Sequence, residues 1–257
     1  MKNLMSISKQ SFALSVIAFS VVLFSSCLKN KDDNNTVPAA GLMAFNLAPN
    51  KPAIGFSLSG NSLTSTPLAY TNYTGNYLGV YTGSRTIVAF DANSNSSIAS
   101  VDATFDKDKY YSLFLVGDTS YQNVVVSDNI DSLLGASGMA YVRYINAIPD
   151  SSHPIVTVTQ GGNNVVNENA AFSTVSRFTA VNPGEVAITV NNNNNIQANR
   201  NITLEQRKVY TALLIGVPGS TDTAKAVQIK YIVNGTLSAD STTQGFSKAS
   251  PKVISIQ

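Results

Sequence analysis

The chain repeats itself. Leu42-Met43-Ala44-Phe45-Asn46-Leu47-Ala48-Pro49-Asn50 aligns with Val142-Arg143-Tyr144-Ile145-Asn146-Ala147-Ile148-Pro149-Asp150. Further on, the block from Tyr77 to Gly83 aligns with the block from Phe178 to Gly184, and Phe105 to Gly117 aligns with Leu204 to Gly216. Three matched blocks, in one order and at a nearly constant offset, describe a duplicated unit of about 100 residues, an ordinary domain size. Whatever one copy folds into, the other must fold into as well.

Each copy reads as short strands. Ile54, Phe56 and Leu58 alternate with small residues, as do Val186, Ile188 and Val190, and a period of two marks a half-buried strand. Leu113 to Val116 and Leu213 to Ile215 are continuous apolar runs, which suit a central strand covered on both faces. Asn, Gly, Ser and Pro cluster between the runs and set the turns. After residue 40 no stretch has a helical period, although Ser132 to Ala136 could make one turn. The expected class is all-β, with antiparallel β-sandwiches at 41–130 and 138–235 and a C-terminal strand or tail at 236–257. Lys-Tyr-Tyr at 109–111 and Lys-Val-Tyr at 208–210 open the apolar strands. Tyr111 and Tyr210 are expected to return their hydroxyls to nearby backbone, in the manner of a tyrosine corner.

The segment Arg143-Tyr144-Ile145-Asn146-Ala147-Ile148-Pro149-Asp150 resembles the R-x-x-N-A-x-P-D start of a bacterial domain family of unknown function. The later aromatic-x-x-V-x-x-G block is similar to that family too, and the resemblance covers roughly residues 41–235. The first copy departs from it, with Met43 where the arginine is expected and Leu47 in place of the alanine. The resemblance implies two tandem immunoglobulin-like modules in a secreted or lipid-anchored protein. It assigns no activity, cofactor or site.

At the N-terminus, Lys2 and Lys9 precede an apolar stretch from Phe12 to Phe24 that only Ser15 and Ser20 interrupt. This is the pattern of a secretory signal, and it is short of the roughly 20 apolar residues of a transmembrane span. Leu23-Phe24-Ser25-Ser26-Cys27 resembles a bacterial lipobox, with Phe24 where a leucine is usual. Residues 1–27 are therefore expected to be a lipoprotein signal peptide ending at a lipidated Cys27; an ordinary signal peptide with a free cysteine is the alternative. The resemblance implies several acyl chains, since a single chain anchors only marginally. Residues 28–40 read as a flexible linker. Its Asp32-Asp33 resembles a signal for export to the outer leaflet, against a plain solvated tether facing the periplasm.

Removing residues 1–27 leaves fifteen basic against fifteen acidic residues, so the mature chain is formally neutral. That argues against nucleic acid as a partner, because phosphate binding needs a clustered positive field. With Cys27 the only cysteine, no disulfide can form within the chain. The fold must rest on core burial.

Catalytic constellations are not evident. His153 is the sole histidine and no G-x-S-x-G elbow is present. Gly161-Gly162-Asn163 reads as a hairpin turn. Asp102, Asp106 and Asp108, and the pair Asp128 and Asp131, read as solvated turns, with calcium as the alternative. No catalytic, metal or cofactor-binding residue is expected, and the chain is not expected to be an enzyme. Tyr70, Tyr73, Tyr77 and Tyr81 fall within twelve residues rich in Asn and Thr. Tyr70, Tyr73 and Tyr81 are candidate glycan-stacking residues, and the competing reading makes these tyrosines strand and core residues, with Tyr77, aligned with Phe178, buried. Asn191 to Asn195 is expected to be a flexible hairpin tip. Asp131-Ser132-Leu133, Asp222-Thr223-Ala224 and Asp240-Ser241-Thr242 resemble an O-glycosylation acceptor, which would place glycans on Ser132, Thr223 and Ser241. The expected role is that of a non-catalytic outer-membrane lipoprotein, exposed at the cell surface, which acts as a binding, adhesion or spacer element. Its partners would be the membrane, through Cys27, and surface glycans or other envelope proteins. Carbohydrate capture for nutrient uptake is the alternative.

Overall fold

A computed structural model describes residues 38–239 and the backbone of Phe246 and Ser247. The expected signal peptide and nearly all of the linker, with Cys27, lie outside the described residues, as does Ser241. In the first copy, β1 (Ala39–Asn46), β2 (Ile54–Leu58), β3 (Asn61–Ser62), β4 (Leu78–Tyr81), β5 (Gly83–Asp91), β6 (Ser97–Phe105), β7 (Tyr110–Val116) and β8 (Gln122–Ser127) form two sheets. Their strand orders are β4-β1-β7-β8 and β3-β2-β5-β6. The second copy contains β9 (Ala140–Asn146), β10 (Ile155–Gln160), β11 (Asn163–Asn169), β12 (Thr179–Val181), β13 (Gly184–Asn191), β14 (Gln197–Leu204), β15 (Lys208–Ile215), β16 (Gln228–Leu237) and β17 (Phe246–Ser247). Its orders are β12-β9-β15-β16-β17 and β11-β10-β13-β14, the same topology with β17 added at one edge.

Two tandem β-sandwiches are thus present, with one departure from a purely antiparallel arrangement. β1 runs parallel to β7, and β9 parallel to β15. A parallel pair needs a long crossover, and here the intervening strands of each copy supply it. In place of the single helical turn expected near Ser132, two short 3-10 turns, Ile130–Ser132 and Gly135–Ser137, join the copies.

Alternation along the strands builds three layers of core. Leu42, Ala44, Leu113 and Leu115 point into the first sandwich with Ile54, Phe56 and Ile87. Val142, Tyr144, Ala212 and Leu214 do the same in the second, with Val156, Ile188 and Val190. The residues between them in sequence, Met43, Phe45, Phe114, Val116, Ile145, Leu213 and Ile215, form a third cluster shared by both copies. The sheets β4-β1-β7-β8 and β12-β9-β15-β16-β17 therefore pack face to face, making a stack of four sheets. This explains the continuous apolar runs: β7 and β15 are covered on one side by their own sandwich and on the other by the neighbouring repeat. Each fully buried large apolar side chain contributes about 1.5–3 kcal/mol, so the shared layer joins the repeats strongly.

The same local devices recur in both copies. The backbone N–H of Asp106 donates to the Tyr111 hydroxyl at 3.0 Å, and that of Glu205 to the Tyr210 hydroxyl at 2.9 Å. These are the expected tyrosine corners. Gly161 and Gly162, at φ 56° and 83°, close the two-residue turn between β10 and β11. The Asn191–Asn195 tip is tied together by the Asn192 side chain. Asn192 Oδ1 accepts from the N–H groups of Asn194 and Ile196, and its Nδ2 donates to Ser152 Oγ and Asn195 Oδ1.

Candidate functional site

The most unusual chemistry lies in the seam between the repeats. Arg143, on β9, extends its side chain into the shared layer and is only 2% exposed there. Its Nη1 donates to Asp128 Oδ1 at 2.6 Å, its Nη2 to Ser112 Oγ at 2.8 Å and its Nε to Thr211 Oγ1 at 3.0 Å. Ser112 in turn donates to Asp128 Oδ2 at 2.9 Å, and Thr211 to Asn234 Oδ1 at 2.6 Å. Tyr77 closes the group, donating to Asp128 Oδ2 at 2.5 Å. The guanidinium lies 4.3 Å from the centre of the Phe178 ring, close enough for a cation–π contact. Burial, followed by the Asp128 charge, holds the Tyr77 phenol well above its ordinary range, so it stays a proton donor.

Asp128 and Arg143 come from different repeats, and the linker that joins them is itself pinned. The N–H of Leu134 donates to the Tyr141 hydroxyl at 2.9 Å. Ile130, Tyr141, Val209 and Leu237 form a small cluster under it. A buried ion pair is costly to desolvate and holds only where geometry and further hydrogen bonds are complete, as they are here. The arrangement is suited to fixing register between two sheets. Its charges are spent on each other, and both side chains are buried.

Asp128 is the main correction to the sequence reading. It is 2% exposed and paired to an arginine, where a solvated turn was expected. Asp131 does sit near the surface and bonds Lys109. Asp102 accepts from Thr86 Oγ1 at 2.6 Å, Asp106 lies 3.5 Å from the Tyr111 hydroxyl, and Asp108 is exposed. Among the described residues no group of three or more His, Cys, Asp or Glu side chains could hold a metal ion. His153 is exposed in a loop with φ 49°.

The four clustered tyrosines do not share one open face. Tyr70 and Tyr73 are half-buried against the shared layer, and Tyr73 stacks on Phe45 with centroids 5.3 Å apart. Burial pushes the Tyr70 phenol up to about 12. Tyr77 belongs to the network. Tyr81 alone of the four stands out, at 65% exposure. Of the glycosylation candidates, Ser132 and Thr223 are both exposed, and the Ser132 hydroxyl donates to the Asn129 carbonyl.

The signal missed in sequence was a compensated difference between the copies. Met43 replaces the arginine in the first copy, and Asn234 stands in the second copy where the first has Asp128.

Comparison with known families bears directly on the duplicated fold. The sequence matches the Domain of unknown function DUF4397 twice in tandem, over residues 40–151 and 140–252. The chain belongs to the DUF4397 family. The two matches meet on β9, the strand that opens the second copy and carries Arg143. No curated protein matches the chain. Among solved structures, a candidate cell adhesion protein from Bacteroides eggerthii shares 13% identity over 77% of this chain and 96% of its own, with a TM-score of 0.21. So low a TM-score carries no argument about this DUF4397 chain's arrangement or role.

Proposed function

We propose that this chain is a non-catalytic lipoprotein of the outer membrane that faces the cell exterior and works by contact. In this reading the lipid on Cys27 supplies attachment and the paired sandwiches supply a stiff binding, adhesion or spacer element. The observation that carries it is the seam: two modules share an apolar layer and a closed polar network, so they move as one body. A formally neutral mature chain, rich in hydroxyls and amides, agrees with a role outside the cell and not with nucleic acid.

Replacing Cys27 with alanine tests the anchor. The native chain should partition with membranes and take up radiolabelled fatty acid, and the variant should do neither. Protease shaving of intact cells should release fragments of residues 38–239; protection until the outer membrane is breached would place the chain on the periplasmic face. Carbohydrate capture is the second reading, favoured only by the exposed Tyr81. A neutral-glycan array with native chain and Tyr81→Ala decides it, and no hits would remove it.

A further inference from the structure

We infer that the seam is a heterotypic pairing code: the inner face of repeat 1 accepts the inner face of repeat 2 and rejects a copy of itself. It rests on an asymmetry at equivalent positions. Met43 corresponds to Arg143, and Tyr77 to Phe178. Ser112 and Thr211 correspond, and two residues beyond their strand partners Val126 and Ile232 stand Asp128 and, at a bulge in β16, Asn234. In both copies these positions point out of the sandwich into the shared layer. One copy carries the acid and no base; the other carries the base and no acid.

At the two remaining positions, Met43 and Asn234, stand groups that do not need a charge. The Asn234 amide lies 4.0 Å from Met43 Sδ and 3.4 Å from the Tyr77 hydroxyl, and its carbonyl takes the Thr211 proton. So the two halves of the seam are complementary and neither is complementary to itself. Repeat 1 docked on repeat 1 would bury two copies of Asp128 with no cation. Repeat 2 docked on repeat 2 would bury two copies of Arg143 with no anion. An uncompensated buried charge is far more costly than a buried pair, and this is the repulsive element that specific interfaces use.

The partner this face fits is therefore a repeat of the opposite type, from the same chain or from a second copy. Association between copies through the seam pairs repeat 1 of one chain with repeat 2 of another, and it closes when two chains exchange repeats reciprocally across the linker at 129–139. The code leaves each chain free to close on itself and blocks the pairing of like faces.

Full-length variants test this. The mirrored chain M43R/R143M/Y77F/F178Y/D128N/N234D moves the acid to repeat 2 and the base to repeat 1, leaving Ser112 and Thr211 in place. Its thermal midpoint should return to within about 3 °C of the native chain, whereas R143M or D128N alone should lose about 10 °C. A second pair separates the code from folding. M43R/D128N makes both faces basic, and R143M/N234D makes both acidic. Each alone should be destabilised, and on mixing the two should form a 1:1 dimer of twice the mass by size-exclusion chromatography with light scattering. A mirrored chain as unstable as the single variants would overturn the proposal, as would a both-basic chain as stable as the native one, or a mixture that yields no dimer.

Discussion

Asn46 and Asn146 stand at equivalent points of the two repeats, and each side chain makes three hydrogen bonds, one of them from the backbone N–H two residues on. The Oδ1 of Asn46 accepts from Ala48 N at 3.1 Å and its Nδ2 donates to the carbonyls of Lys51 and Leu68. The Oδ1 of Asn146 accepts from Ile148 N at 3.1 Å and its Nδ2 donates to the carbonyls of Ala170 and Ala171. Each amide ties the end of the repeat's first strand to a loop that would otherwise bury unpaired backbone. Asn146→Ala and Asn46→Ala should each cost about 2–4 kcal/mol, because the loss leaves buried polar groups without partners. Urea unfolding would check this, and an unchanged midpoint would count against it.

The tyrosine corners should be worth less. Tyr111→Phe and Tyr210→Phe each keep the ring and remove one acceptor from a partly buried N–H, for a cost of about 1–2 kcal/mol. The two losses should be alike and should add, since the sites lie in separate sandwiches. A double variant that unfolds at the midpoint of either single one would contradict this.

Two glycines with positive φ separate backbone strain from steric conflict. Gly83, at φ 95°, has nothing within 4 Å of where a Cβ would stand, whereas at Gly216, φ 110°, the Cβ would meet the Ala226 carbonyl oxygen at 2.3 Å. Gly83→Ala should cost about 1–2 kcal/mol from conformation alone. Gly216→Ala must also displace the loop after β15, and its cost should be clearly larger. Equal losses in denaturant midpoint would refute the distinction.

Much of this was legible in the sequence. The three aligned blocks marked the duplication, the period of two marked the strands, and Lys-Val-Tyr at 208–210 marked a corner. The apolar runs at 113–116 and 213–215 even showed that β7 and β15 are covered on both sides. What covers them was not legible, because side-chain alternation shows that a face is buried and not against which surface. The same limit explains Tyr70 and Tyr73. A tyrosine has an apolar body and a polar tip, so one stretch of sequence suits an open sugar platform and a half-buried seam equally. Asp128 was misread because its cation is on the next repeat, and no spacing in the sequence pairs the two residues.

Alkaline pH should weaken the protein through its buried phenols. Burial raises Tyr70 to about 12 and holds Tyr77 well above its normal range, while burial and then the bond to Glu168 raise Tyr144. These groups are neutral when folded and ionise near pH 10 when unfolded. Their contribution is full below about pH 10 and is lost as the pH rises above it, for Tyr70 through its folded value of about 12. Urea midpoints should therefore fall between about pH 10 and 12, with tyrosinate absorbance at these positions appearing only as the fold opens. A constant midpoint across that range would oppose this.

Differential scanning calorimetry of the native chain asks most directly whether the two sandwiches are one body. If the shared layer and the Arg143–Asp128 network fuse them, unfolding will be a single transition whose calorimetric and van't Hoff enthalpies agree. Two resolved transitions, one per sandwich, would contradict it.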